Sequence, residues 1–297
     1  MRLHGVAMAR NEADVIEAFV RHNLRSLDRL VVVDHCSTDG TRQILRALRD
    51  EGLAVDVELD DLEGHRQAET ITRLARGAFA AGAGAVFALD ADEFLKMPSR
   101  AALERWLASV PPQYCVAVEW QTYLPQALDR PVGAPVELRW RRASEVHGLR
   151  KVILTRAFAD TATATVGPGN HTVLMEGPAQ DLEAHPVQLA LCPDGIVAIA
   201  HLPVRSVGQV VRKVKTGWAA HVQANPTDTS LALHWRELFA DFEAHGAPDL
   251  ERCRTIALNY GLPMARWQPA SAIPVLSDPV PLAAPNRYDA LARSLAA

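Results

Sequence analysis

The first third of the chain alternates between short apolar runs and stretches in which apolar residues recur at helical spacing. Apolar runs predict buried strands at 3–9, 30–34 and 85–89. Helical spacing predicts helices at 15–27, 44–48 and 68–79. Alternation of apolar and polar residues over 53–59 predicts one further, half-exposed strand. Because strand and helix alternate, we expect an α/β fold in which helices cover both faces of a mostly parallel sheet.

The rest of the chain continues with strands and then becomes helical. Apolar runs predict strands at 115–120, 152–154 and 196–201, and the arginine-rich segment 138–142 is typical of a solvated edge strand. Ser99 is placed to cap a helix that ends at Pro111, and helical spacing predicts three more helices, at 206–223, 231–244 and 250–260. The proline-rich stretch 263–285 predicts an irregular tail. We expect an α/β domain over 1–205 and a helical extension with this tail over 206–297.

Composition and charge exclude several classes of protein. The formal net charge of −4 gives no bulk electrostatic reason to expect nucleic acid or an anionic membrane as a partner. Four cysteines lie far apart without a CxxC pair, which argues against a zinc site of the usual spacing and against a disulfide framework. There is no apolar stretch long enough for an integral membrane segment. We therefore expect a cytoplasmic protein, which could act at the inner membrane face through a partner.

Carboxylates follow directly after the predicted strand 85–89. Asp90, Asp92 and Glu93 cannot stay unpaired inside a buried strand, because removing a carboxylate from water is costly. Aspartates one residue apart at a strand end suit Mg²⁺ or Mn²⁺, which take oxygen ligands and bridge to substrate phosphates. The alternative is a solvated acidic turn.

Polar clusters also follow the predicted strands 3–9 and 30–34. These clusters span 10–12 and 34–39, and in parallel sheets ligands bind beyond the carboxyl ends of the strands. Helix caps, which occur at the same junctions, are the alternative explanation. Neither GxGxxG nor GxxxxGK[ST] is present, so a dinucleotide or a P-loop nucleotide is not expected. Phosphates would then need another counter-charge, and a metal ion at Asp90 and Asp92 would supply it.

Three of these segments together resemble the family 2-type glycosyltransferases, which have the GT-A fold. The matching segments are Met8-Ala9-Arg10-Asn11-Glu12, residues 31–41 and Leu89-Asp90-Ala91-Asp92-Glu93-Phe94. The resemblance is strong over the first 100 residues or so and looser from about 110 to 220. It implies a hexosyltransferase-type enzyme that moves a sugar from a nucleoside diphosphate sugar, with UDP favoured, to the hydroxyl of a glycan or another acceptor. It also implies inversion at the anomeric carbon and an Mn²⁺ or Mg²⁺ cofactor.

The resemblance also implies which residues form the site. The nucleotide would contact Ala9, Arg10, Asn11, Glu12, Asp34, Ser37, Asp39, Arg66, Asp90 and Arg205. The metal would be held by Asp90, Asp92 and His201, with His171 as the second choice for the third ligand. His35-Cys36 departs from the commonest pattern of the family, which leaves the nucleotide base undefined.

The acceptor side offers two candidates for the base that deprotonates the acceptor hydroxyl. Glu119 follows a predicted strand and Glu93 adjoins the acidic motif, and a carboxylate suits this role. Glu119 could instead be a solvent-exposed strand residue without a catalytic role. Trp120 and Tyr123 could stack on a sugar ring or pack in the core. Two other functions remain open at this point. They are a sugar nucleotidyltransferase and a non-catalytic nucleotide-sugar-binding protein.

Overall fold

The computed structural model of this chain describes residues 1–62, 64, 66–125, 137–145, 148–176, 184–224, 233–282 and 287–288. The strands are β1 Leu3–Ala9, β2 Arg29–His35, β3 Val55–Asp60, β4 Ala85–Asp90, β5 Glu93–Lys96, β6 Cys115–Thr122, β7 Leu138–Arg142, β8 Arg150–Leu154, β9 Thr165–Val166, β10 Val173–Glu176, β11 Ala184–Pro186, β12 Leu189–Leu191, β13 Ala198–His201 and β14 Val275–Val280. The helices are α1 Ile16–Asn23, α2 Thr41–Asp50, α3 Gln67–Ala80, α4 Arg100–Ser109, α5 Arg156–Ala159, α6 Val207–Ala224, α7 Leu233–His245 and α8 Leu250–Leu258.

A large sheet dominates the structure, with strand order β3-β2-β1-β4-β8-β6-β13-β5 and with β12 also paired to β6. The first four strands in this order run parallel, β8 runs antiparallel to both of its neighbours, and β13 is parallel to β6. Two smaller sheets contain β9 to β11 and the pair β7 and β14. The predicted α/β class, a mostly parallel sheet flanked by helices with further helices toward the C-terminus, is confirmed.

Helices bury both faces of this sheet because its strands alternate their side chains between two cores. In β4, Phe87 and Leu89 point into the core that also contains side chains of α1, α2 and α4. Val86 and Ala88 point into the other core, with side chains of α3 and α5. Ser99 caps α4 as predicted, and its hydroxyl accepts a hydrogen bond from the backbone N–H of Ala102 at 3.2 Å.

The short link between β4 and β5 forces the sheet to curl. Four strand spacings of a flat sheet would separate these strands by about 19 Å. Only Ala91 and Asp92 lie between them, and the step from Asp90 to Glu93 can span at most about 11 Å. The far edge of the sheet therefore returns to the carboxyl end of β4, where Glu93 pairs in register with His201. Neither β5 nor this curl was predicted from the sequence.

The C-terminal part combines a helical core with a returning strand. Helices α6, α7 and α8 bury an apolar cluster of their own, which includes Val210, Leu238 and Ile256. The irregular tail predicted for 263–285 is wrong at β14, which pairs antiparallel with β7. Asp278 of β14 accepts bonds from Lys96 and Arg141, and these ion pairs fix the strand in place. Residues 283–285 of that prediction, and the first two residues of the helix predicted at 231–244, lie outside the described residues. The division after residue 205 stays a prediction.

Asn11 and Tyr123 each bond to a distant part of the chain. Asn11 does not cap α1, which starts at Ile16 and has no side-chain cap. Asn11 has a positive φ of 58°, and its side-chain oxygen instead accepts a hydrogen bond from the backbone N–H of Thr38 at 2.8 Å. Tyr123 is fully buried and donates its hydroxyl to the carbonyl of Asp278, so it belongs to the core. None of the described helices combines the length and hydropathy that a segment crossing a bilayer needs.

Candidate functional site

A cavity of about 520 Å³ lies at the carboxyl ends of β4 and β13. Its walls come from the loops after β1 and β2, from the β4–β5 link, from β6 and β8, and from helix α6. The lining residues include Met8, Arg10, Asn11, Glu12, His35, Gln67, Asp90, Asp92, Trp120, Lys151, His171, His201, Arg205, Arg212, Lys213, Trp235 and Tyr260. The curl of the sheet brings these residues together from distant parts of the sequence.

Asp92 is the most strongly held carboxylate of this cavity. Its side chain is only 2% exposed, and its Oδ2 lies 2.6 Å from the Nζ of Lys213 and 3.6 Å from a guanidinium nitrogen of Arg205. Its Oδ1 faces the Nε2 of His201 at 3.6 Å. Burial opposes ionisation, but the positive charges of Lys213 and Arg205 hold the pKa of Asp92 well below its usual range. Asp92 is therefore a buried, ionised carboxylate at neutral pH.

Asp90 and Glu93 are bound by the buried ammonium of Lys151. Lys151 lies 2.6 Å from Asp90 Oδ2 and 2.7 Å from Glu93 Oε1, and it donates to the carbonyl of Gly169 at 2.8 Å. Gln67 donates to the other oxygen of Asp90 at 2.7 Å. Burial raises the pKa of Glu93 to about 8, although Lys151 acts in the opposite direction. Glu93 is fully buried and lies behind the cavity wall.

Arg205 ties the loop after β1 to the end of β13. Its guanidinium binds Glu12 and lies 2.7 Å from Asp14, with only 2% of the side chain exposed. These carboxylates and Asp92 raise the pKa of Arg205 in spite of its burial. Burial also raises the pKa of Glu12 to about 7, against the opposing effect of Arg205. Arg205 therefore acts as a buried counter-ion shared by several carboxylates of the site.

Four rings form one wall of the cavity. The ring of Trp120 lies 4.5 Å from that of His201 and 5.3 Å from that of His171, and Tyr260 lies 5.2 Å from His201. Burial lowers the pKa of His201, and burial together with Lys151 lowers that of His171 to about 4. Both imidazoles are neutral at pH 7, the form in which a ring nitrogen can accept a hydrogen bond or bind a metal. His171 bonds to the carbonyl of Arg150 through its Nδ1, which leaves Nε2 as its remaining acceptor.

Two arginines of the lining have no carboxylate partner within the described part of the chain. The Nε–H of Arg10 is buried and donates no hydrogen bond to any described group, and Arg212 lies exposed on α6. Every carboxylate of the described lining is bound to a cation: Glu12 to Arg205, Asp90 to Lys151 and Asp92 to Lys213. The cavity thus presents two uncompensated guanidinium groups, which suits an anionic ligand such as a phosphate.

The residues fit a divalent cation only in part. Among the described residues, no group of three or more histidine, cysteine, aspartate or glutamate side chains converges on one point. Asp90 does not join Asp92 and His201, because Lys151, Gln67 and Asn170 occupy its oxygens. Asp92 and His201 nevertheless face each other as an ionised oxygen and a neutral nitrogen, beyond ordinary hydrogen-bond distance. Such a pair fits the protein's share of a Mg²⁺ or Mn²⁺ site whose other ligands come from phosphates and water.

Several residues predicted for the nucleotide site hold the loops that surround it. Ser37 accepts the backbone N–H of Asn11, and Asp39 accepts those of Ala13 and Thr41. These bonds fix the loop after β1 against the start of α2. Asn11 and Glu12 line the cavity next to this network.

The remaining predicted residues lie outside the cavity lining that the structure describes. Ala9 is buried in the core of the sheet, and Asp34 is buried against Arg42 at 2.8 Å. Arg66 pairs with Glu69 at 2.8 Å. Glu119 accepts a bond from Gln121 at 2.7 Å, and both lie on the face of β6 opposite Trp120.

Gln67 received no site role from the sequence, and the ion pairs of Lys151 with Asp90 and of Lys213 with Asp92 were not predicted. Lys151 directly precedes the apolar run Val152-Ile153-Leu154. A lysine at the start of a buried strand needs a partner, so the sequence could have indicated a buried ion pair here. Lys213 lies three residues after the buried Val210 and therefore on the same side of α6. Which carboxylate each lysine binds depends on the fold, and the residues around the lysine in the sequence do not indicate it.

Comparisons with known proteins reach only distant structures. Neither the family models nor the curated proteins include a match to this sequence. The chain is similar to mannosyltransferase PcManGT from Pyrobaculum calidifontis in complex with GDP-Man and Mn²⁺, with 18% identity, a TM-score of 0.42, and coverage of 91% of this chain and 77% of that one. It is also similar to residues 1–349 of S. aureus TarS, with 15% identity, a TM-score of 0.39, and coverage of 89% and 76%. Similarity at this level leaves the activity to be inferred from the chain's own residues.

Proposed function

We propose that this protein is a glycosyltransferase, which moves a sugar from a nucleoside diphosphate sugar to an acceptor hydroxyl. One observation carries the proposal. One cavity at the carboxyl ends of β4 and β13 combines the ionised Asp92 and neutral His201 with Arg10 and Arg212, whose guanidinium groups have no carboxylate partner among the described residues. This combination suits a diphosphate that is bound and released as a leaving group. The resemblance of residues 8–12, 31–41 and 89–94 to family 2-type enzymes supports the same activity.

The chain's own residues account for binding and orientation. Arg10 and Arg212 would hold the phosphates, and the loop fixed by Asn11, Ser37 and Asp39 would border the nucleoside. Asp92 and His201 would hold a divalent cation, which when bound supplies positive charge next to the leaving diphosphate. Arg205 keeps Glu12 and Asp14 neutralised, so that these carboxylates do not repel the diphosphate. Arg66 points to Glu69 and would not touch the nucleotide in this arrangement.

The assay for this activity is the release of nucleoside diphosphate from UDP-, GDP-, CDP- and dTDP-sugars with Mn²⁺, with and without sugar acceptors. UDP-sugars are the first choice of donor. A nucleotidyltransferase would instead use a sugar phosphate and a nucleoside triphosphate. A binding protein would bind the donor and release nothing.

Arg10→Ala is expected to weaken binding of the preferred nucleoside diphosphate by about ten-fold or more, because it removes a charged donor that no carboxylate of the described residues binds. Isothermal titration calorimetry measures the change. Arg66→Ala is the matched control, since Arg66 pairs with Glu69 outside the cavity, and it should bind like the wild type. Unchanged binding by the Arg10 variant would remove this residue from the phosphate site.

Glu119→Gln is expected to keep transfer activity within about three-fold of the wild type. The carboxylate lies on the opposite face of β6 from Trp120 and is bound to Gln121, so it cannot reach an acceptor in the cavity. Steady-state rates at saturating donor and acceptor measure the effect. A loss of about a hundred-fold or more would instead establish Glu119 as the base, the role predicted from the sequence.

A further inference from the structure

Asp92, the carboxylate that we propose binds the divalent cation, forms an ion pair with the ammonium group of Lys213. Lys213 comes from α6, 121 residues away in the sequence, and its Nζ lies 2.6 Å from Asp92 Oδ2. The ring of Tyr260 lies 5.9 Å from the same ammonium. The site therefore carries its own counter-ion before any ligand binds.

A divalent cation and this ammonium cannot share Asp92 in the observed arrangement, because like charges at contact distance repel strongly in a buried site. Asp92 cannot move away, since its side chain is 2% exposed and its carbonyl accepts the backbone N–H of Leu202 at 3.0 Å. Lys213 can move, because its side chain is long, is 25% exposed and lines the cavity. Cation binding at Asp92 thus requires Lys213 to leave.

The released ammonium would find no free carboxylate in the described lining of the cavity. Asp90 is bound by Lys151, and Glu12 is bound by Arg205. A cation that binds alone would therefore leave Lys213 without a carboxylate in a site that already contains Arg10 and Arg212, neither of which pairs with a carboxylate in the described part of the chain. A diphosphate in the same cavity would provide the missing anion.

We propose that Lys213 couples the binding of the divalent cation to the binding of the diphosphate, by blocking Asp92 until a diphosphate is present to accept the ammonium. This inference rests on the proposed function. Mn²⁺ alone should bind weakly, Mn²⁺ and the nucleoside diphosphate should strengthen each other, and Lys213 should carry a measurable part of that coupling.

The test measures the Mn²⁺ dissociation constant by electron paramagnetic resonance with and without UDP, and in parallel with GDP. Lys213→Gln should bind Mn²⁺ alone about ten-fold more tightly than the wild type, because the competing charge is gone. It should bind UDP in the presence of Mn²⁺ more weakly, and the coupling factor should fall by about ten-fold. Lys215→Gln is the control, since Lys215 is exposed on α6 and pairs with Glu243, and it should behave like the wild type.

Lys213→Gln should thus strengthen Mn²⁺ binding and weaken UDP binding. If Lys213 had only a structural role, its loss would weaken the binding of both ligands. If Lys213→Gln does not fold, Lys213→Arg serves instead and should bind Mn²⁺ alone at least as weakly as the wild type, because a guanidinium pairs with a carboxylate through two bonds. Unchanged or weaker Mn²⁺ binding by Lys213→Gln, or tighter Mn²⁺ binding by Lys213→Arg, would overturn the inference. A wild-type protein that binds neither Mn²⁺ nor a nucleoside diphosphate would overturn the proposed function as well.

Discussion

Asp92→Asn is expected to lower sugar transfer by on the order of a thousand-fold or more while the protein stays folded. Asp92 is the ionised carboxylate at the centre of the cavity, with Lys213, His201 and Arg205 around it. The amide keeps the shape of the side chain but removes the charge that would hold a cation beside the leaving diphosphate. The largest effect on chemistry should therefore come from this one change.

The measurement is the rate of nucleoside diphosphate release together with Mn²⁺ binding and thermal unfolding. The variant should lose both activity and Mn²⁺ binding, and its far-UV circular dichroism should match the wild type. Asp194→Asn is the matched control, because Asp194 is an exposed aspartate outside the cavity. Full activity in Asp92→Asn would remove the cation and this carboxylate from the proposed mechanism.

Arg205→Met is expected to cause the largest loss of stability, about 3 kcal/mol in the free energy of unfolding. The guanidinium is 2% exposed and neutralises Glu12 and Asp14, and Asp92 lies 3.6 Å away. Methionine fills much of the volume but leaves these carboxylates without their shared counter-ion. Urea unfolding at about pH 8 measures the loss.

The stability deficit of this variant should shrink as the pH falls. Burial already raises the pKa of Glu12 from 4.5 to about 7 in the folded protein, and removal of Arg205 takes away a group that lowers it. A raised folded pKa means that the folded state binds the proton more tightly, so the group favours folding at low pH and this contribution is lost as the pH rises through 7. The deficit at about pH 5 should therefore be smaller than at about pH 8.

Arg156→Met is the control for Arg205→Met, because Arg156 is 65% exposed and pairs with Asp160 on the surface of α5. Its free energy of unfolding should stay within about 0.5 kcal/mol of the wild type. Equal effects of the two variants, or a deficit at Arg205 that does not change with pH, would contradict the buried charge cluster.

The repeating part of the fold could be predicted from the sequence because local patterns encode it. The apolar run 85–89 and the helical spacing over 68–79 each predict one element, and both are confirmed as β4 and α3. The acidic end of β4 also followed from local chemistry, since carboxylates cannot stay unpaired inside a strand. The strands β5 and β14 were missed because they are stabilised by pairing with distant strands and by distant ion pairs such as Lys96–Asp278.

The acidic residues of the candidate site could be predicted from the sequence, but the lysines that pair with them could not. Asp90, Asp92 and His201 were placed by motif and position, and the structure brings them to one cavity. Lys151 binds Asp90 from 61 residues away, and Lys213 binds Asp92 from 121 residues away. Periodic patterns in the sequence do not reveal contacts over such separations. Glu119 lies outside the described cavity lining. Which face of a strand points into a site depends on packing, which one sequence does not show.

The two-residue link between β4 and β5 has a consequence for how this sequence can vary. Ala91 and Asp92 join the middle of the sheet to its curled edge with almost no slack, so an inserted or deleted residue here would shift Asp92 away from His201 and Lys213. Surface loops elsewhere can change length at little cost. Among homologous chains, the spacing from Asp90 to Glu93 should therefore be constant even where loop lengths and most other side chains have diverged.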